Sequence, residues 1–121
     1  NVFTLRKAMQ LSGFDKYIKE KSKYENYLYG GYSAGICVLA PKLSILKSAE
    51  PPRNPYDDDE ITEEGLGIID FLPIPHYKTE YPSGRIIDEV VNYCRRHDIK
   101  YKTIRDGESI VDSPIDVDMD R

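Results

Sequence analysis

Apolar residues along the chain repeat with either a helical or a strand spacing. Three short segments follow the helical spacing, and a longer apolar stripe after Ser83 predicts a core-packing helix whose last turn includes His97. Apolar runs too short for helices predict strands. In chain order, the shorter predicted elements are helices over residues 4–12 and 15–23, a strand over 27–32, a helix over 34–39, and strands over 65–72, 99–104 and 109–111.

Residues that stop or cap these elements fix their limits. Gly13 suits the left-handed position that ends the first helix, and Asp15 can cap the second. The prolines at positions 51, 52 and 55 and a run of acidic residues predict a surface loop over residues 41–65. Asp106 and Gly107 form the strongest hairpin turn signal in the chain. We therefore predict one domain over residues 1–113, followed by an acidic tail over 114–121.

Ser33 is the strongest candidate for a reactive group. It lies between the predicted strand and helix in Gly31-Tyr32-Ser33-Ala34-Gly35, which fits the G-x-S-x-G pattern. In that pattern a strained turn exposes a serine hydroxyl, and the small flanking residues let neighbouring backbone pass close by. The backbone N–H of Ala34, at the start of the helix, is then expected to donate one of two hydrogen bonds to an oxyanion.

A serine hydroxyl needs a base, and the chain has only two histidines. His97 reads as a charge at the end of an amphipathic helix. His76 follows the predicted strand over residues 65–72, and the end of a parallel strand is where catalytic groups collect. We therefore assign the base to His76.

The acid that orients His76 is less sharply defined by the sequence. Glu50 ranks first because Pro51 and Pro52 would hold its backbone rigid. The other candidates are Asp57, Asp58, Asp59 and Asp70.

Composition and residue spacing also indicate which partners, metals and cysteine states to expect. A net charge of −4, from 17 basic and 21 acidic residues, favours neither nucleic acid nor an anionic membrane as a partner. His76 and Glu80 lack a third metal ligand, and the acidic loop lacks the ligand spacing of a calcium site, so we expect no metal and no cofactor. Cys37 and Cys94 read as free buried thiols of a cytoplasmic protein.

These motifs, taken in order, resemble the peptidase E (aspartyl dipeptidase) family of serine peptidases, relatives of the cyanophycinases. The resemblance rests on Ser12-Gly13, on the Ser33 motif, on Gly65-Leu66-Gly67 and on Pro75-His76-Tyr77. It implies that Ser33 is the nucleophile and His76 the base, and that the acid between them, followed by proline, is Glu50.

The resemblance also implies a fold and a substrate. The fold would be an α/β three-layer sandwich, glutamine-amidotransferase-like and flavodoxin-like, with its N-terminal strands and a glycine oxyanion donor preceding Asn1. The substrate would be a small peptide, with N-terminal Asp-Xaa dipeptides as the best-known class. Such a substrate needs a cation, for which Lys47, Arg53 and Arg85 are candidates.

Two other functions compete with the peptidase. An α/β-hydrolase-type esterase shares the order serine, acid, histidine. A non-catalytic fragment with an incomplete oxyanion hole is the third possibility.

Overall fold

The computed structural model describes residues 1–24, 26–56, 60–79 and 84–112. Its elements are α1 (Val2–Ser12), α2 (Phe14–Lys21), α3 (Ala34–Cys37), a 3₁₀ helix (Ser44–Ser48), β1 (Leu72–Ile74), α4 (Gly84–Arg96) and β2 (Tyr101–Thr103). Ser83, which precedes the predicted core-packing helix, and the predicted tail over 114–121 lie outside the described residues.

The first two helices meet at a glycine. Gly13 has φ 80°, which ends α1 as predicted, and α2 begins at the next residue. Asp15 is therefore not the cap that the sequence predicts. It lies in the first turn of α2, where its buried carboxylate accepts a hydrogen bond from Arg6 at 3.1 Å. The pairing compensates the desolvation of both charges and joins the two helices.

A small parallel sheet carries the second half of the chain. β1 and β2 pair in parallel with Leu72 opposite Tyr101 and Ile74 opposite Thr103. The intervening α4 confirms the predicted amphipathic helix, and its buried face consists of Ile87, Val90, Val91 and Cys94. A parallel pair needs such a crossover, so β1, α4 and β2 form a β-α-β unit.

The first predicted strand does not form a ladder in the described part of the chain. Residues 27–32 belong to neither strand of the sheet. Leu28 is 95% exposed and Tyr32 is 87% exposed, whereas Tyr27 and Tyr29 are half-buried and pack against the core. A strand is defined by its partner, and apolar spacing alone cannot supply one.

Two other predicted strands also change. The strand predicted over residues 65–72 is shifted to Leu72–Ile74, because the earlier residues bond to the segment after α3: the Leu66 N–H donates to the Val38 carbonyl at 2.8 Å. Within the described residues, 109–111 form no strand, although the turn at Asp106 and Gly107 is present.

The buried core contains residues of α1, α3, the 3₁₀ helix, α4 and β1. Its largest fully buried side chains are Val2, Phe3, Val38, Leu43 and Cys94. Val38 directly follows α3, and Leu43 precedes the 3₁₀ helix. The core therefore fixes both ends of the chain segment that leaves the Ser33 turn.

Cys37 and Cys94 are both free and buried, as predicted. Burial, assisted by the negative charge of Glu50, raises the pKa of the Cys37 thiol from 9.0 to about 12. The thiol also lies 3.6 Å from the Pro73 carbonyl. Because the thiolate is the reactive form, Cys37 is held in its inert state at neutral pH.

We expect Cys37 to resist Ellman's reagent at pH 8 in the folded protein and to react once urea unfolds it. The raised folded-state pKa also has a consequence for stability. The contribution of the Cys37 thiol to the free energy of unfolding is fully present below its unfolded-state pKa of 9.0. That contribution is lost as the pH rises toward the folded-state pKa of about 12. A Cys94→Ala variant isolates the Cys37 signal, and fast labelling of its folded form at pH 8 would contradict the assignment.

Candidate active site

Ser33 occupies a backbone conformation that side chains rarely adopt. Its φ of 52° and ψ of −121° place it immediately before α3, at the point where the chain turns into the helix. Such strain persists only where surrounding structure holds it, and it is common at reactive residues. The turn therefore has the form of a nucleophile elbow.

One of the two motif glycines is required by close packing. A Cβ on Gly31 would lie 2.9 Å from the Gly35 carbonyl oxygen, whereas a Cβ on Gly35 would meet nothing within 4 Å. The close approach expected on both sides of Ser33 is thus found on the Gly31 side. Tyr29 adds a further contact, because its hydroxyl donates to the Gly35 carbonyl at 2.6 Å.

The structure brings Ser33 and His76 together. Ser33 Oγ lies 3.2 Å from His76 Nε2. His76 follows β1 by two residues and has φ 62°. The next N–H, of Tyr77, donates to the Ile104 carbonyl at 3.1 Å. That bond ties the histidine loop to the chain leaving β2.

The acid beside His76 is Asp106. Its Oδ1 lies 2.8 Å from His76 Nδ1. A carboxylate only accepts hydrogen bonds, so Nδ1 carries the proton and Nε2 is free to accept one from Ser33. Asp106 follows β2 as His76 follows β1, and the carboxyl ends of two paired parallel strands lie at one sheet edge.

Glu50, the first choice from the sequence, lies in a different place. Its Oε1 accepts a hydrogen bond from the Val2 N–H at 2.8 Å and lies 3.2 Å from the Asn1 backbone nitrogen. The carboxylate is thus engaged at the start of α1, where N–H groups lack helical partners. The structure thus places the Asp106 carboxylate beside His76 and the Glu50 carboxylate at the start of α1, contrary to the predicted contact of Glu50 with His76.

Of the alternative acids, Asp70 pairs with Lys100 at 2.6 Å. The hydrogen bond from Lys100 lowers the pKa of the Asp70 carboxyl. The remaining candidates, Asp57, Asp58 and Asp59, lie outside the described residues. Asp106 was missed because its Asp-Gly pair indicates a turn, whereas its position after the second strand of a β-α-β unit is the signal that could have found it.

The serine, histidine and aspartate face a common cavity of about 730 Å³. Its wall is rich in tyrosine and aliphatic residues, and Arg105 contributes a cation beside Asp106. The cations proposed from the sequence do not line it: Lys47 pairs with Glu63, Arg85 lies 3.8 Å from Glu89, and Arg53 is also outside the lining. The cavity thus offers a charged position that the sequence did not indicate.

The N–H of Ala34 lies at the start of α3. The hydrogen bonds of this turn begin with the Gly35 N–H, which donates to the Tyr32 carbonyl at 2.9 Å. The first amides of a helix have no partner within it. The N–H of Ala34, next to Ser33, is thus available to a ligand.

The sequence model of peptidase family S51 matches residues 1–113. The chain belongs to peptidase family S51. A comparison with curated proteins found no match.

The fold of this S51 chain is similar to a crystal structure from Listeria monocytogenes EGD-e described as a "Putative Peptidase E Protein". The TM-score is 0.67 at 24% sequence identity. The match covers 86% of this chain and 47% of the other. The S51 chain therefore spans about half the length of that neighbour and shares its mixed helix and parallel-sheet fold.

In the described ranges, no three His, Cys, Asp or Glu side chains are grouped so that they could hold a metal ion. Within the same ranges, no helix combines the length and apolar character needed to cross a bilayer.

Proposed function

We propose that the protein is a serine peptidase that hydrolyses small peptides with Ser33, His76 and Asp106 as its triad. The observation that carries the proposal is the unbroken hydrogen-bonded path from Ser33 Oγ through His76 to Asp106, at 3.2 Å and 2.8 Å. A nucleophile beside a base that is oriented by an acid is the arrangement that activates a serine. Membership of a peptidase family supports a peptide as the substrate.

In this mechanism Ser33 Oγ attacks the scissile carbonyl carbon while its proton passes to His76 Nε2. Asp106 keeps the proton on Nδ1 and stabilises the imidazolium that forms. The C–N bond then breaks, the leaving amine takes the proton from Nε2, and an acyl-enzyme remains. Water attacks the acyl group with His76 as base, and Ser33 regains its proton.

The developing oxyanion needs donors that are already in place. We propose the Ala34 N–H as one of them, since it begins the helix immediately after Ser33. We propose that the second donor lies outside residues 1–121. It would belong to a complete three-layer sandwich in which further strands pair with residues 27–32. Two observations support this: the match covers 47% of the structural neighbour, and residues 27–32 lie outside the sheet formed by the described residues.

Arg105 supports a preference for substrates that carry a carboxylate. It lines the same cavity as Ser33 and His76. An arginine can bind a carboxylate through two parallel hydrogen bonds. We propose that an N-terminal aspartyl side chain, or the C-terminus of a dipeptide, binds there.

The chain order of the three residues argues against the esterase alternative. In the α/β-hydrolases the acid precedes the histidine. Here the order is serine, histidine, aspartate, because Asp106 follows His76 by 30 residues. The order therefore argues against an α/β-hydrolase, and membership of a peptidase family supports the peptidase.

Treatment of the full-length protein with a fluorophosphonate probe tests the nucleophile. We expect a single adduct on Ser33, found by mass spectrometry of the digested protein, and its loss when the protein is first unfolded in urea. A dipeptide panel that includes Asp-Xaa tests the substrate. Ser48→Ala serves as a matched surface control, and labelling of another residue in place of Ser33 would reject the proposal.

A further inference from the structure

Asp106 lies on an exposed turn, and its side chain is 65% exposed. A carboxylate on such a turn has many alternative positions, and only one of them meets His76. Catalytic groups need geometry fixed to within a fraction of an ångström. The structure around Asp106 must therefore supply the order that burial does not.

The chain before Asp106 is held by the first sheet strand and the histidine loop. The Ile104 N–H donates to the Ile74 carbonyl at 2.9 Å, and the Ile104 carbonyl accepts from the Tyr77 N–H at 3.1 Å. These two bonds lie on either side of His76 in the sequence. They fix the distance between the histidine loop and the start of the Asp106 turn.

The chain after Asp106 is held by Glu108. The Glu108 N–H donates to the Arg105 carbonyl at 3.0 Å, and a Glu108 carboxylate oxygen accepts from the Arg105 N–H at 2.7 Å. Gly107, between them, has φ 89°, which suits the third position of a tight turn. One residue thus closes the turn with both its backbone and its side chain.

We propose that Glu108 is a positioning residue, whose carboxylate holds the Asp106 turn so that Asp106 meets His76 Nδ1. This inference rests on the proposed function, since it assigns Glu108 to the orientation of the same triad. The hydrogen bond from the Glu108 N–H to the Arg105 carbonyl is the one that closes an ordinary tight turn. The side-chain bond adds a charge-assisted contact, which is stronger than a neutral one.

The competing role for the same side chain is direct. Glu108 lines the cavity with Ser33, His76 and Asp106, so its carboxylate could bind the ammonium group of a substrate. The two roles separate by chemistry. A positioning carboxylate affects Ser33 reactivity toward any probe, whereas an ammonium ligand affects KM for peptides.

The test compares Glu108→Ala and Glu108→Gln in the full-length protein, with Glu89→Ala as a matched control on the exposed face of α4. The readouts are the rate constant of fluorophosphonate labelling, in which Ser33 Oγ binds phosphorus as fluoride leaves, and kcat and KM for a cleaved dipeptide. Misplacement of a catalytic group by about 1 Å can cost about 100-fold in rate, so we expect Glu108→Ala to lose up to that factor in kcat and labelling. Glu108→Gln keeps an acceptor oxygen and should lose only about fivefold.

A double-variant cycle distinguishes positioning from a general loss of structure. With Asp106→Asn present, adding Glu108→Ala should cost nothing further, because its effect passes through Asp106. Equal losses in both backgrounds, or a change confined to KM, would overturn the inference. If the Ser33→Ala variant were labelled as fast as the wild type, the proposed function would fail instead, so the two failures are distinguishable.

Discussion

Replacement of Asp106 by Asn is expected to lower kcat for peptide hydrolysis by about 10⁴-fold, the scale of an orienting acid in a serine triad. The amide can donate a proton to His76 Nδ1, which would place the ring proton on Nε2 and remove the base from Ser33. Asp106 Oδ1 lies 2.8 Å from His76 Nδ1, so replacing a carboxylate oxygen by an amide NH₂ group acts directly on the position of the ring proton. Steady-state kinetics of the full-length protein measure it, with Ser33→Ala as the reference for complete loss, about 10⁶-fold.

Glu50→Gln is the informative comparison, because Glu50 is the acid that the sequence predicts and Asp106 is the acid that contacts His76. The Gln amide oxygen can still accept from the Val2 N–H, so the substitution weakens the start of α1 but leaves His76 untouched. We expect it to lower the free energy of unfolding by about 1 kcal/mol and to leave a larger residual kcat than Asp106→Asn. The reverse order of the two kcat values would return the acid to Glu50.

The sequence predicts the parts of the site that local patterns encode. The Gly31 to Gly35 motif predicts a strained turn, and the structure shows it in the φ of Ser33. His76 was expected after a strand, and it follows β1. The acid depends instead on which strands are neighbours, which is a tertiary property, and the pairing of β1 with β2 brings Asp106 rather than Glu50 to the histidine.

The same division holds for the fold. α4 was predicted because its buried face repeats within the helix itself. Residues 27–32 and 65–68 have the apolar character of strands, but the first segment lacks a partner strand among the described residues and the second bonds to the chain after α3. The spacing of apolar residues indicates which side chains are buried, but it does not indicate which backbone segments pair as strands.

Gly65→Ala is expected to give the largest loss of stability, at least about 4 kcal/mol. A Cβ on Gly65 would lie 1.8 Å from the Ala40 carbonyl oxygen and 2.8 Å from its carbon. These are backbone atoms, which cannot rotate away as the end of a side chain can. The glycine is therefore required by close contact of two chain segments.

Displacement of the chain at Gly65 would also break two backbone hydrogen bonds made by the next two residues. The Leu66 N–H donates to the Val38 carbonyl at 2.8 Å, and the Gly67 N–H donates to the Ala40 carbonyl at 3.1 Å. Both acceptors lie just after α3, the helix that follows Ser33, so Gly65→Ala should also slow fluorophosphonate labelling.

Urea unfolding measures the loss of stability. Gly30→Ala, where a Cβ meets nothing within 4 Å, is the matched control and should change stability by less than about 0.5 kcal/mol. Equal urea midpoints for the two variants would show that the chain relieves the contact at Ala40 without cost.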